Sequence, residues 1–305
     1  MKRLALAFLF LAACSVAAQD FISARAGYLN YQEGQRAQAR RQIQEGEGFQ
    51  SGRSRAELLL TPGSFLRLER GAEIRMLSTR LSDPQVELID GTVGLEVVEF
   101  PKGSHLAMVW GDYRDDRAFL VAHKGIYRFQ AQNGALRLWV ENGSLKLPGS
   151  GVTLKKGHWV EFNSAGVAPV AKFNTKAKDA FDLWSSNRAG VLSAASYRSA
   201  HSYNPNGFRT SIWAFSSFLG YYTFLPYSGF INSPWGYSFY SPRYVWIYSP
   251  GYGPGRGSVM PMPGTGSGQP GGGSPAASAP APPQMRISVP PPRPPAGERP
   301  KAQIQ

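Results

Sequence analysis

Between residues 25 and 162 the chain repeats one short pattern: four to six residues alternating apolar and polar, then a turn rich in Gly, Asn, Asp or Pro. Leu66 and Leu68 alternate with Arg67 and Glu69, Val86 and Leu88 with Gln85 and Glu87, and Leu136, Leu138 and Val140 with Arg137 and Glu141. A period of two turns one face of each segment to a core and the other to water, as in half-buried β-strands. Residues 22–31 read as a first strand and 34–52 as a polar loop. Further strands are expected at 56–60, 65–69, 73–77, 85–89, 92–100, 105–110, 118–122, 126–130, 135–141, 144–147, 152–155 and 158–162. Turn signals separate them, among them Thr61-Pro62-Gly63, Asp90-Gly91, Asn133-Gly134 and Asn142-Gly143. Asn-Gly and Asp-Gly suit type I′ hairpins because both central positions tolerate positive φ. Strands this close, with no helix between them, predict an all-β domain: a sandwich, a roll or a short β-helix.

Beyond this block the period changes. Ala177, Phe181, Trp184, Val191, Leu192 and Ala195 recur at helical spacing, with Asn174 or Thr175 placed to cap the start. One amphipathic helix is therefore expected near 175–198, inside a segment 173–200 packed on the β domain. Residues 203–252 hold eighteen aromatics and two charges, Arg209 and Arg243. Pro226, Pro234, Pro242 and Pro250 fall eight residues apart, three of them in Ser-Pro pairs. That spacing predicts a small repeat of short strand and Pro-initiated turn; the alternative is aromatic low-complexity sequence. Half of those aromatics left in water would expose on the order of 1,300 Å² of apolar surface, well above a soluble monomer's usual patch. They either pack on the β domain or bind something, and Trp235, Tyr237, Tyr244 and Trp246 are the residues that would then stay accessible. From 253 to 305 Gly, Pro, Ser and Ala dominate, ending in Pro290-Pro291-Pro292-Arg293-Pro294-Pro295. Such a stretch buries too little apolar surface to offset its ordering entropy, so a disordered tail is expected.

Residues 1–18 read as a signal peptide: Met1-Lys2-Arg3, then an apolar run too short to span a bilayer. Val16-Ala17-Ala18 before Gln19 suits an ordinary signal peptidase, while Leu11-Ala12-Ala13-Cys14 resembles a lipoprotein lipobox that would place a lipid on Cys14. Both routes lead to the periplasm or cell envelope. Cys14 is the single cysteine, so no intramolecular disulfide staples the fold. No other apolar run reaches about 18 residues, so no transmembrane helix is expected in the mature chain. The formal charge of +13 points towards an anionic partner. Export removes nucleic acid from consideration and leaves an anionic or wall polymer or an envelope protein, against the plainer reading that scattered basic residues keep the surface soluble.

One family fits the order of the strand motifs. Gly27 opens the first strand; Ala56-Glu57-Leu58-Leu59-Leu60, Pro62-Gly63-Ser64-Phe65-Leu66-Arg67-Leu68 and Val86-Glu87-Leu88-Ile89-Asp90-Gly91 follow, then residues 136–147 and Val152-Thr153-Leu154-Lys155-Lys156-Gly157. This resembles the FecR-like periplasmic domain in its stand-alone secreted form; the match covers roughly residues 25–162, within a β domain expected at 22–172. The resemblance implies an all-β domain without known catalytic residues. Where such domains carry a Gly-Thr-x-Phe-like strand, this chain has Lys124-Gly125-Ile126-Tyr127-Arg128-Phe129. The signalling members add a transmembrane helix and an anti-sigma segment before the β domain, and the leader here abuts the first strand, so the sigma-factor role is not transferred.

Catalytic signatures are sparse. His105, His123, His158 and His201 lack any metal-ligand spacing. Asp115 and Asp116 each sit beside an arginine, as in a solvated loop. Glu96 and Glu99 flank a slip in alternation at Val97-Val98, which reads as a bulge that could aim a side chain. The expectation is a non-catalytic exported binding or scaffold module, with no cofactor and no metal. A carbohydrate- or wall-binding protein using 203–252 is the second reading, and a hydrolase with a pocket the sequence does not reveal is the third.

Overall fold

A computed structural model describes residues 25–35, 40–100, 103–111, 118–121, 123–207 and 209–248. The expected signal peptide with Cys14, residues 112–117 with Asp115 and Asp116, Pro250 and residues 253–305, where a disordered tail is expected, lie outside the described residues.

The strands run β1 (Tyr28–Gln32), β2 (Gly48–Gln50), β3 (Ala56–Leu59), β4 (Ser64–Leu68), β5 (Glu73–Ser78), β6 (Gln85–Val97), β7 (Leu106–Trp110), β8 (Ala118–Val121), β9 (Gly125–Gln132), β10 (Ala135–Asn142), β11 (Ser144–Lys146), β12 (Thr153–Lys155), β13 (His158–Asn163), β14 (Gly166–Val167) and β15 (Ala171–Lys172). After them come helix α1 (Ala180–Ala200), β16 (Ile212–Ser216), β17 (Tyr221–Leu225), β18 (Phe230–Asn232), β19 (Ser238–Tyr240) and helix α2 (Pro242–Tyr248). The all-β domain is present, and of the three predicted forms it is a sandwich. A long antiparallel sheet, β1-β3-β4-β6-β9-β10-β13-β14, faces a smaller one built from β2, β5, β7 and β8. The two share β6, whose first half pairs with β5 and β7 and whose second half pairs with β4 and β9. Leu66, Leu95, Phe129, Leu138 and Val160 of the long sheet meet Ile74, Met76, Leu88, Met108 and Phe119 of the smaller one in one core.

Two expected hairpins are corners instead. Asp90-Gly91 does not reverse the chain; it bends β6 from one sheet into the other. Gly91 sits at φ +85°, and a Cβ there would lie 2.7 Å from Ala72 Cα, so only glycine lets the strand cross this point. Asn142-Gly143 separates β10 from β11, and β11 pairs with β12 rather than back onto β10. Asn133-Gly134 does make the expected turn, with φ of 52° and 71°. The slip at Val97-Val98 is not a bulge, because β6 keeps unbroken register with β4 and β9 through Glu96 and Val97. Its cause is burial on both faces: Val97 enters the sandwich core and Val98 a second core outside it.

That second core explains the aromatic segment. Trp213, Phe224 and Phe239 pack with Leu192 of α1 onto Leu59 and Phe65, which point out of the long sheet. β16–β17 and β18–β19 pair as two hairpins with each other, not with an edge of the β domain. Pro226, Pro234 and Pro242 each follow a short strand by one or two residues. Pro242 is the first residue of α2, where its missing N–H costs nothing, and Ser241 Oγ accepts from Tyr244 N as the cap.

Helix α1 starts later than expected. Asp179, not Asn174 or Thr175, is its cap: Asp179 Oδ1 accepts from Phe181 N and Asp182 N at 2.9 Å, and Asp182 returns a bond to the Asp179 amide, a capping box. Its buried face carries Ser193 and Ser196 as well as Phe181, Leu192 and Ala195. The serines join backbone to backbone: Ser193 Oγ donates to Ser238 O, and Tyr240 N donates to Ser196 Oγ. Among the described residues no helix is long and apolar enough to cross a membrane.

Candidate functional site

The outward side of the long sheet carries one continuous cross-strand row. Tyr31 pairs with Glu57, Glu57 with Arg67, Arg67 with Gly94, Gly94 with Arg128, Arg128 with Trp139, Trp139 with Trp159, and Trp159 with Ala171. These residues share a face because alternate residues of neighbouring strands stay in register. α1 and the hairpins cover one half of the row, and the other half is only partly covered.

The covered half is a four-charge cluster. Glu57 Oε2 accepts from Arg67 Nε at 3.1 Å, and Glu57 Oε1 from Arg188 Nη2 of α1 at 2.8 Å. Arg67 Nη1 lies 2.7 Å from Glu96 Oε2, and Ser233 of the β18–β19 hairpin donates to Glu96 Oε1. Asn30 Nδ2 donates to Glu57 and to Tyr222 O, and Asn30 Oδ1 accepts from Tyr222 N. Arg188 also donates to Tyr221 OH at 2.7 Å and lies 4.0 Å from the centre of the Tyr31 ring. All four charged side chains are buried. Burial works to raise the Glu57 carboxyl, but Arg188 and Arg67 outweigh it and hold the group below the usual carboxylate range. Burial dominates at Glu96, which stays above that range despite Arg67 and Ser233. Two positive and two negative groups close on one another, so this half locks layers together.

At the centre Gly94 leaves a gap in the row, filled by Phe181 from the first turn of α1; a Cβ on Gly94 would sit 3.2 Å from the Phe181 ring. From there rings and guanidiniums alternate outward. Arg128 Cζ is 5.6 Å from the Phe181 ring and 5.8 Å from that of Trp139. Trp139 and Trp159 stack at 6.0 Å with planes 19° apart. Among the described residues no further ring or cation is seated on Trp159. Beside this stack lies a cleft of about 290 Å³, lined by Arg128, Gln130, Trp139, Glu141, Phe173, Ala177, Asp179 and Asp182.

The acids in the cleft are partly engaged. Arg128 donates to Asp179 Oδ2 at 2.6 Å. Burial raises the Asp179 carboxyl, but the amides of the capping box and Arg128 carry it below the usual range. Glu141, pushed up by burial, pairs with Lys178, whose ammonium lies over the Trp235 ring. Among the described residues the side-chain amide of Gln130 makes no hydrogen bond, and Asp179 keeps 49% of its side chain exposed.

The residues singled out from sequence are dispersed. Trp235 is half-buried over Lys178, and Tyr237 lies against Gly190 of α1, where a Cβ would come within 3.0 Å of the ring. Tyr244 stacks among Phe230, Tyr240 and Tyr248. Trp246 is 65% exposed at the end of α2. Glu99 accepts from Ser211 Oγ and is not joined to Glu96 in one site. His105 pairs with Asp83, and His158 Nδ1 lies near backbone carbonyls of the preceding turn. Sequence reasoning missed the Arg128–Trp139–Trp159 stack. The two tryptophans sit at outward positions of their strands, but only the pairing of β10 with β13 makes them neighbours.

No family model matches the sequence, and no curated protein matches it. Among solved structures the chain is similar to two crystal structures of a candidate anti-sigma factor from Parabacteroides distasonis, at 1.65 and 2.50 Å resolution, with 17% and 18% identity. Each alignment covers 43% of this chain and 57% of the other, with a TM-score of 0.31.

Proposed function

We propose that this chain is a non-catalytic, exported envelope protein whose FecR-like β domain acts as a binding or scaffold module through the open half of its outer face. One observation carries the reading: the clustered carboxylates are engaged in ion pairs and a helix cap, and the cleft that Glu141, Asp179 and Asp182 border is otherwise lined by aromatic and neutral polar side chains beside Arg128. Glu57 and Glu96 hold two arginines, Glu141 holds Lys178, and Asp179 and Asp182 fix the start of α1. A general acid and base need an accessible proton path, whereas a preformed cleft beside stacked rings suits recognition. Export rests on residues 1–18, with cleavage before Gln19 or lipidation of Cys14. The partner is an envelope polymer or protein.

Fractionating cells that make the full chain tests both parts. The protein is expected outside the cytoplasm and sedimenting with washed envelope fragments, and a double Trp139→Ala/Trp159→Ala variant is expected to sediment less. A cytoplasmic location, or sedimentation indifferent to those tryptophans, overturns the reading. Sequencing the mature N-terminus separates the two leaders: Gln19 excludes the lipid anchor, and a blocked Cys14 establishes it.

A further inference from the structure

We infer that the cleft lined by Phe173 and Trp139 binds the ring of an uncharged saccharide. This rests on the binding-module reading above and names the ligand class for the same face. A sugar ring has one apolar C–H face and a rim of hydroxyls that both donate and accept. It therefore asks for an aromatic wall flanked by planar polar groups of both kinds. The cleft supplies the Phe173 ring as its aromatic wall and the edge of Trp139, whose faces are taken by Arg128 and Trp159, together with the side-chain amide of Gln130, the guanidinium of Arg128 and the half-exposed carboxylate of Asp179. Carboxylates accept, guanidiniums donate and amides do both, so the set matches hydroxyls without needing a ligand charge. Its volume of about 290 Å³ lies at the small end of ligand sites, enough for one or two rings.

The competing ligands fit less well. A phosphate-bearing or acidic polymer would meet Glu141, Asp179 and Asp182 against Arg128 and Lys178, a balance that repels it. A nucleobase can stack on tryptophan, but its phosphate needs a positive groove. An extended peptide pairs along a sheet edge, and this cleft lies on a sheet face between β9, β10 and the start of α1. A metal ion would have Arg128 in its midst, and among the described residues no group of three His, Cys, Asp or Glu side chains is placed to hold one.

The test is titration of the purified mature protein with four soluble probes, followed by calorimetry and tryptophan emission. The probes are an N-acetylglucosamine tetramer, cellotetraose, an oligogalacturonate and adenosine monophosphate. At least one neutral oligosaccharide is expected to bind and shift the emission, with the acidic oligomer and the nucleotide binding more weakly or not at all. Phe173→Ala is expected to weaken binding about tenfold or more, by analogy with the loss of one aromatic stacking partner. Gln130→Ala, at a partly exposed position whose side chain makes no hydrogen bond among the described residues, should weaken it severalfold while leaving the melting temperature unchanged, and it serves as the readout should Phe173→Ala fail to fold. Trp246→Ala, at the far end of α2, should bind as the parent does. Failure of both neutral probes, preference for the acidic oligomer or the nucleotide, or binding indifferent to Gln130 and Phe173 would each overturn the inference. Envelope sedimentation that persists without sugar binding leaves the binding-module reading standing and removes only this one.

Discussion

Glu57 touches both buried arginines, so its neutralisation leaves Arg188 with no carboxylate and Arg67 with Glu96 alone. Glu57→Gln is expected to cost about 3–5 kcal/mol, the usual consequence of breaking a buried ion pair from one side, and chemical denaturation measures it. The two acids of the cluster respond to pH with opposite sign. Glu57, held below its ordinary value of 4.5, contributes stability that is present above 4.5 and is lost as pH falls through the depressed value. Glu96, raised from 4.5, binds its proton more tightly folded than unfolded. It costs nothing well below 4.5, and its cost grows as pH rises from there through the raised value. Melting curves of Glu96→Gln against the parent should therefore shift in favour of the variant as pH climbs across that window. A difference that stays flat with pH would show that the Glu96 carboxyl titrates alike in the folded and unfolded chains, with no upward shift on burial. None of this was legible locally: Glu57 and Arg67 read as ordinary outward-facing strand residues, and Arg188 as an interruption of a helical stripe. Alternation tells which face a side chain takes, but not whether a distant segment will cover that face.

At the level of elements, most strands were legible because period two is a local property, and the turns were legible only where the chain reverses within the same sheet. Asp90-Gly91 carries the residues of a hairpin, yet Gly91 faces Ala72 across a contact that admits no side chain, and the strand bends. Helix α1 shows the complementary case. Its buried face holds serines that satisfy hairpin backbone groups, so a search for apolar periodicity sees only part of it. Two glycines register the close approaches. In an exposed helix Gly→Ala would gain about 1 kcal/mol, but at Gly190 the new methyl meets the rigid Tyr237 ring at 3.0 Å. Gly190→Ala is therefore expected to destabilise. Gly94→Val should displace Phe181 from the outer row and cost about 1–3 kcal/mol as an overpacked site. A thermal melt reads both, and a stabilised Gly190→Ala would mean that Tyr237 yields without loss.

At the scale of the whole described molecule, an aromatic-rich stretch with two charges could have been a sticky low-complexity segment or a cover. The difference lies in whether the outer face of a sheet more than a hundred residues earlier is itself apolar. Leu59 and Phe65 supply that face, buried beneath Trp213, Phe224 and Phe239. Phe65 packs 5.0 Å from Trp213 and 5.9 Å from Phe239. Deleting 203–248 would uncover them and take away Tyr221 and Ser233, which satisfy Arg188 and Glu96. Each of the three covering aromatics contributes roughly 1.5–3 kcal/mol on burial, and at this size 1 kcal/mol moves the melting temperature by about 2–4 °C. The deletion should therefore lower it by about 10 °C or more and raise binding of a hydrophobic dye, while the circular dichroism stays β-dominated because the sandwich core lies on the other side of the long sheet. The Trp139–Trp159 end lies outside the hairpin contacts, so any saccharide binding at temperatures below the new transition should survive the deletion. A melting temperature left unchanged, with envelope sedimentation abolished, would reverse the assignment and make residues 203–248 the binding surface rather than the cover.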